Sequence, residues 1–329
     1  MPAVSVVATV LNERDVIDPL VESLMRQTLA PTEVIIVDGG STDGTWERLL
    51  QATSKYSSLV PIRDESCSLK HSPGPVARGR NVAIASASSD VIACVDAGCT
   101  YPPEWLANLT APIFSGGFQY SLGGSCIDLT SLDLETPNSA VWDIASAPFF
   151  AVKLHPDAPT KSCTARSMAF RKELWRRVGG FPETFLLGED TLFDAEARKL
   201  APPAFPPRAK ACYQTHQSFG SAVRQMARYS KSYGLLGGRW ARLGRNLARC
   251  LVEVLATLAL VFSPVPLLCV LALELYFAFR LDWRDLRKVP LRMWAARLLF
   301  SLVVPWVAAW SQILGSITKK NSSNRQNQA

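Results

Sequence analysis

Three short β-branched runs, separated by stretches of helical periodicity, constrain this chain more than any other feature in it. VSVVATVL at residues 4–11 leads into Asn12-Glu13, VIIVD at 34–38 ends in an acid, and VIACVD at 91–96 does the same. Between the first two runs, Val16, Ile17, Leu20, Val21, Leu24 and Met25 recur at the spacing of one helix face. Between the last two, Asp43 can cap a helix carrying Trp46, Leu49 and Leu50, LVPI is a weak strand, and residues 82–87 complete another helix. Continuously apolar strands are buried on both faces, and their alternation with helices builds a parallel sheet with right-handed crossovers. The expected fold class is α/β.

In such sheets ligands bind beyond the carboxyl ends of the strands, where Glu13, Asp38 and Asp96 all fall. Any one of these acids can simply cap the helix that follows it. Three on one rim point instead to a ligand, as acceptors for ribose hydroxyls or a base, or as metal ligands. The first strand runs into Asn-Glu rather than a G-x-G-x-x-G turn, which argues against a nicotinamide-dependent reductase on the same plan. The cysteines at 67, 94, 99, 126, 163, 212, 250 and 269 lack CxxC spacing, so free thiols are expected and no disulfide or zinc framework.

The last quarter has a different composition. Residues 247–279 and 293–317 are apolar runs that reach the roughly 20 residues needed to cross a bilayer. Pro264 and Pro266 interrupt the first run, which leaves a helical hairpin, a kinked span or a re-entrant pair open. Between the runs, Arg280, Arg284, Arg287, Lys288 and Arg292 outnumber Asp282 and Asp285, and the positive-inside bias puts this linker on the cytoplasmic side. Residues 4–11 lack the basic flank and cleavage site of a signal peptide, so the globular part is expected in the cytoplasm.

Four further segments complete the pattern: VDGGSTDGT after the second strand, ARGRNVAIASASSD before the third, Asp96 with Gly98 at its tip, and GGFPETFLLGED at 179–190. Taken in order with VSVVATVLNE, these motifs closely resemble the family 2 glycosyltransferases of GT-A fold, over residues 4–235 or so. The resemblance implies a Rossmann-like domain that binds a nucleotide-diphosphate sugar, followed here by membrane-associated helices. It implies donor contacts from Glu13 and Asp38 to the base, from Arg80 to the phosphates or the neighbouring loop, and from Asp96 to the ribose or a metal. Asp190, beside Glu189, would be the general base that an inverting transfer needs to deprotonate the acceptor hydroxyl. Both acids also suit the start of the helix that follows, where the dipole favours negative charge. Gln225, Arg228 and Tyr229 match a Q-x-x-R-W element with Tyr for Trp, implying an acceptor-stacking face. Read from the residues alone, the same stretch is an amphipathic helix with interfacial tyrosines.

This chain departs from the pattern at Gly98, which replaces the second Asp of D-x-D. Mg²⁺ or Mn²⁺ would then have only Asp96 and, as in some relatives, a histidine such as His216, which can equally be a neutral donor in the core. Positive charge is a second means of neutralising a diphosphate. Residues 205–252 contain no Asp or Glu but hold Arg208, Lys210, Arg224, Arg228, Lys231, Arg239, Arg242, Arg245 and Arg249, in a chain whose net charge is +7. Such a stretch also suits anionic membrane lipids. Trp142, Phe149, Phe150 and His155 line an acceptor groove or fill the core.

The expected organisation is a nucleotide-sugar half at 1–100, an acceptor half with the base at 101–235, basic and membrane-associated helices at 236–318, and a disordered tail at 319–329. The expected activity is inverting transfer of one sugar to a lipid-linked or polysaccharide acceptor at the cytoplasmic membrane face, with no nucleic-acid partner. Transfer to a polyprenyl phosphate, or a catalytically silent binding subunit of a polysaccharide assembly complex, are the alternatives.

Overall fold

The computed structural model describes residues 2–127, 163–213, 218–236, 240–279 and 291–326, which divide into two compact units at about residue 214. In the first unit, β1 (Val4–Val10), β2 (Glu33–Asp38), β3 (Leu59–Arg63) and β4 (Val91–Cys94) are parallel neighbours in a six-stranded sheet ordered β3-β2-β1-β4-β8-β6. Two antiparallel strands close it, β8 (Met168–Arg171) against β4 and β6 (Tyr120–Leu122) against β8. A second sheet joins the short strands β5 (Cys99–Thr100), β9 (Ala211–Tyr213) and β7 (Ser125–Cys126) in that order.

The two-residue period of the strands sorts their side chains onto two cores. Val4, Val6, Ala8, Val34 and Ile36 pack with helix α1 (Arg14–Met25), α2 (Thr45–Thr53) and α4 (Trp105–Phe114). Val7, Ile35, Val37 and Cys94 face the other way, onto α3 (Pro75–Ser86), α5 (Lys172–Val178) and α6 (Glu189–Leu200). Within that second core Phe181 and Phe193 stack with centroids 4.4 Å apart. LVPI is an edge strand, where Pro61 is tolerated. The Gly179-Gly180 turn that ends α5 has both residues at positive φ, 88° and 84°.

The described residues of the second unit are helical apart from short turns. Helix α7 (Phe219–Leu236) lies along α10 (Leu291–Gln326) so closely that a Cβ on Gly234 would meet the Gln312 carbonyl oxygen at 2.1 Å, and one on Gly315 would meet that of Lys231 at 2.1 Å. Paired small residues of this kind let two helix backbones touch. Residues 247–279 do not form one span. They fold as α8 (Trp240–Leu258), a 3₁₀ turn at Ala259–Val261 and α9 (Val265–Phe279), because Ser263-Pro264 stops the first helix. Among the described residues one helical segment, Ala295–Thr318, is long and apolar enough to cross a membrane, with half of its most apolar window buried. The last helix runs on to Gln326, so residues 319–326 are helical where disorder is expected. No Pro or Gly follows Gly315 to stop propagation from the packed part of the helix. Trp142, Phe149, Phe150, His155, most of the basic linker at 280–292 and residues 327–329 lie outside the described residues.

Candidate active site

The rim at the carboxyl ends of β1, β2 and β4 is built by local turns. After β1, Asn12 takes the left-handed φ of 57°, donates its N–H to Ser41 Oγ at 2.8 Å and accepts from Thr42 N at 2.9 Å. That clamp ties the end of β1 to the loop after β2. Glu13 follows, its N–H bonded to Thr45 Oγ1 at 2.8 Å. Burial, then the charges of Asp43 and Asp96, raise its carboxyl above the ordinary value, which puts all three acids in one neighbourhood.

Asp38 closes β2 and is fully buried. Its Oδ1 accepts from the N–H groups of Gly40 and Ser41, both at 2.7 Å, while its buried Oδ2 has no hydrogen-bond donor among the described residues. A buried carboxylate oxygen without a donor costs on the order of 1–3 kcal/mol or more, so this atom is a place where a ligand N–H or O–H gains.

Arg80, on α3, sits at the centre. The resemblance puts it against donor phosphates or the neighbouring loop; in the structure its side chain is 2% exposed and bridges two carboxylates. Nη2 donates to Asp96 Oδ1 at 2.5 Å and Nη1 to Glu189 Oε1 at 2.5 Å. Burial opposes its charge, but Asp96 and Glu189 outweigh burial and hold its pKa above the usual arginine value. Neighbouring Gly79 lets α3 approach β1 this closely, since a Cβ there would meet Thr9 Oγ1 at 2.1 Å.

Gly188, at a left-handed φ of 92°, turns the chain into α6 so that its first two residues are acids. Glu189 is buried against Arg80. Burial raises its carboxyl above the ordinary value against the pull of Arg80, and Asp190 adds to the rise. Asp190 is only half-buried, and both its oxygens are oriented: Oδ1 accepts from Thr191 N at 2.6 Å and Oδ2 from Ala165 N at 3.2 Å. The two acids thus differ in kind, one locked in an ion pair and one held by backbone donors with access to solvent.

Two residues that no motif marks complete the site. Arg166 Nε lies 3.8 Å from Asp96 Oδ2, and its Cζ lies 4.3 Å from the centre of the Tyr213 ring. Tyr101 Oη accepts the Asp96 N–H at 3.1 Å and donates to the Arg166 carbonyl at 3.0 Å. Only their closeness in space to Asp96 identifies them. Gln225, Arg228 and Tyr229 lie on α7 in the second unit, with Arg228 exposed, and His216 lies outside the described residues.

Residues 5–179, more than half of the chain, match the family model described as glycosyl transferase family 2. The glycosyltransferase AglE of Haloferax volcanii is 27% identical over 196 residues, covering 58% of this chain and 59% of that protein. This chain therefore spans less than two thirds of AglE. The succinoglycan biosynthesis protein ExoA of Rhizobium meliloti is 26% identical over 257 residues, or 71% of this chain and 72% of that one. Among solved structures, the mannosyltransferase PcManGT of Pyrobaculum calidifontis, in complex with GDP-Man and Mn²⁺, superposes with a TM-score of 0.62 at 18% identity over 94% of this chain and 87% of its own. With the motifs in order, the strand-end acids on one rim and this likeness of fold, the chain belongs to glycosyl transferase family 2 and has the GT-A fold.

Proposed function

We propose that this enzyme moves one sugar, with inversion, from a nucleotide-diphosphate sugar to a lipid-linked or polysaccharide acceptor at the cytoplasmic face of a membrane. The observation that carries the reading is Asp190, a carboxylate oriented by two backbone N–H groups and beside the Arg80 bridge that leads to Asp96. In the proposed reaction Asp190 takes the proton of the acceptor hydroxyl as its oxygen attacks the anomeric carbon, and the nucleoside diphosphate departs from the opposite face. Glu189 positions Arg80, which in turn fixes Asp96. Asp38, through its unpartnered Oδ2, and Glu13 receive the base and ribose.

A membrane acceptor is supported by the second unit. Helix α8 buries Leu243, Asn246, Cys250 and Ala256 and turns Leu247, Leu251, Leu255 and Leu258 outward, and the turn after it leaves Phe262 91% exposed. An apolar face of that extent beside basic residues suits a bilayer with anionic headgroups. The names of AglE and ExoA, a glycosyltransferase and a succinoglycan biosynthesis protein, agree with glycan assembly as the setting.

The test is nucleoside-diphosphate release by the detergent-purified chain over UDP-, GDP- and dTDP-sugars, with and without a membrane lipid extract as acceptor. Release from one donor class, increased by the extract, is the expected result. No release from any donor with the extract present would favour a silent binding subunit instead.

A further inference from the structure

A divalent cation does not fit the described residues at Asp96. Its Oδ1 is taken by Arg80 Nη2 at 2.5 Å, and its Oδ2 faces Arg166 Nε at 3.8 Å. Position 98, where the resemblance has a second acid, is a glycine at a left-handed φ of 73°. Among the described residues no three His, Cys, Asp or Glu side chains stand close enough to share a metal. Hard cations need several oxygen ligands, and a carboxylate already facing two guanidinium groups is a poor one.

The site nonetheless needs positive charge. Asp96 feels the charge of Glu13 and is joined through Arg80 to Glu189, beside Asp190, so a diphosphate leaving at this rim would add to negative charge already gathered there. Arg80 cannot supply it, being 2% exposed and engaged with two acids. Arg166 is 12% exposed and rigidly seated. Its own 3₁₀ turn, Ala165–Ser167, is capped by Thr164, whose Oγ1 accepts the Arg166 N–H at 3.3 Å. Tyr101 ties the Arg166 carbonyl to the Asp96 backbone, and the Tyr213 ring backs the guanidinium at 4.3 Å. A planar guanidinium carries five N–H donors and suits a carboxylate and a phosphate at once.

We infer that Arg166, and not a divalent cation, neutralises the donor diphosphate, so that this enzyme binds its donor without metal. The inference rests on the transferase reading above. Calorimetric titration of the full chain with UDP, GDP, dTDP and the corresponding nucleosides, in chelator and in Mn²⁺, tests it. One diphosphate is expected to bind in chelator within about twofold of its affinity in Mn²⁺, and Arg166→Met to weaken that diphosphate by at least about tenfold. The same variant leaves the nucleoside's affinity unchanged, which also shows that it is folded, and Arg166→Lys recovers part of the loss. Diphosphate binding seen only with Mn²⁺, or binding to Arg166→Met equal to the wild type, overturns the inference. Should Arg166→Met lose the nucleoside as well, Arg166→Lys tests the role of Arg166, by a diphosphate affinity below the wild type's at unchanged nucleoside affinity, and the wild-type comparison in chelator tests the metal. Binding of none of the three diphosphates under either condition would instead overturn the transferase reading itself.

Discussion

Asp190→Asn is expected to lower the turnover of sugar transfer by about 10²–10⁴-fold while leaving donor affinity within about twofold of the wild type. The substitution keeps the shape of the side chain and one carbonyl oxygen, so one of the two backbone donors, from Ala165 or Thr191, keeps an acceptor. What disappears is the capacity to take a proton. A separation of turnover from donor binding is what a base produces, because base catalysis acts in the transition state and not in the ground-state complex. Steady-state kinetics with the best donor, beside direct titration of the nucleoside diphosphate, checks it. Loss of donor affinity in step with turnover would mark Asp190 as a structural acid at a helix start.

Arg80→Leu is expected to cost about 3–5 kcal/mol of folding stability, the range for removing one partner of a buried ion pair. Two carboxylates depend on this one guanidinium, Glu189 nearly fully buried and Asp96 with a side chain 30% exposed. Without Arg80, Glu189 is left charged and buried without its ion-pair partner, or must take up a proton. The Arg80→Leu/Glu189→Leu double variant should recover part of the loss, since the charge left without a partner is gone. Arg80→Lys recovers less than the wild type holds, because a single ammonium cannot reproduce a fork that spans both acids. Urea unfolding followed by circular dichroism measures all three. Additive losses in the double variant would show that the two side chains are energetically independent, contrary to the 2.5 Å contact between them.

The strands and the acids on their rim are legible in the sequence because both are local properties. VSVVATVL, VIIVD and VIACVD are buried at every residue but Thr9, Leu11 and Asp96, and Glu13, Asp38 and Asp96 follow by position alone once the strands are set. The partners of those acids are not local. Arg80 and Glu189 are separated by 109 positions, and Asp96 meets Arg166 across 70. Motif order gives Arg80 a place near the donor without revealing that it is a buried bridge. Arg166 stands in an unremarked ARS stretch whose only signal is that it precedes a strand lying beside β4. In the C-terminal quarter composition alone gives two long apolar runs, whereas the prolines in the first decide where helices begin and end.

The anomeric configuration of the product, read by proton nuclear magnetic resonance against that of the donor, decides between inversion and retention at this site. The base role proposed for Asp190, with Glu189 held in its ion pair, predicts displacement from one face and therefore a product of opposite anomeric configuration. A product that keeps the donor's configuration would require a different arrangement of groups at the anomeric carbon and would contradict the role assigned to Asp190.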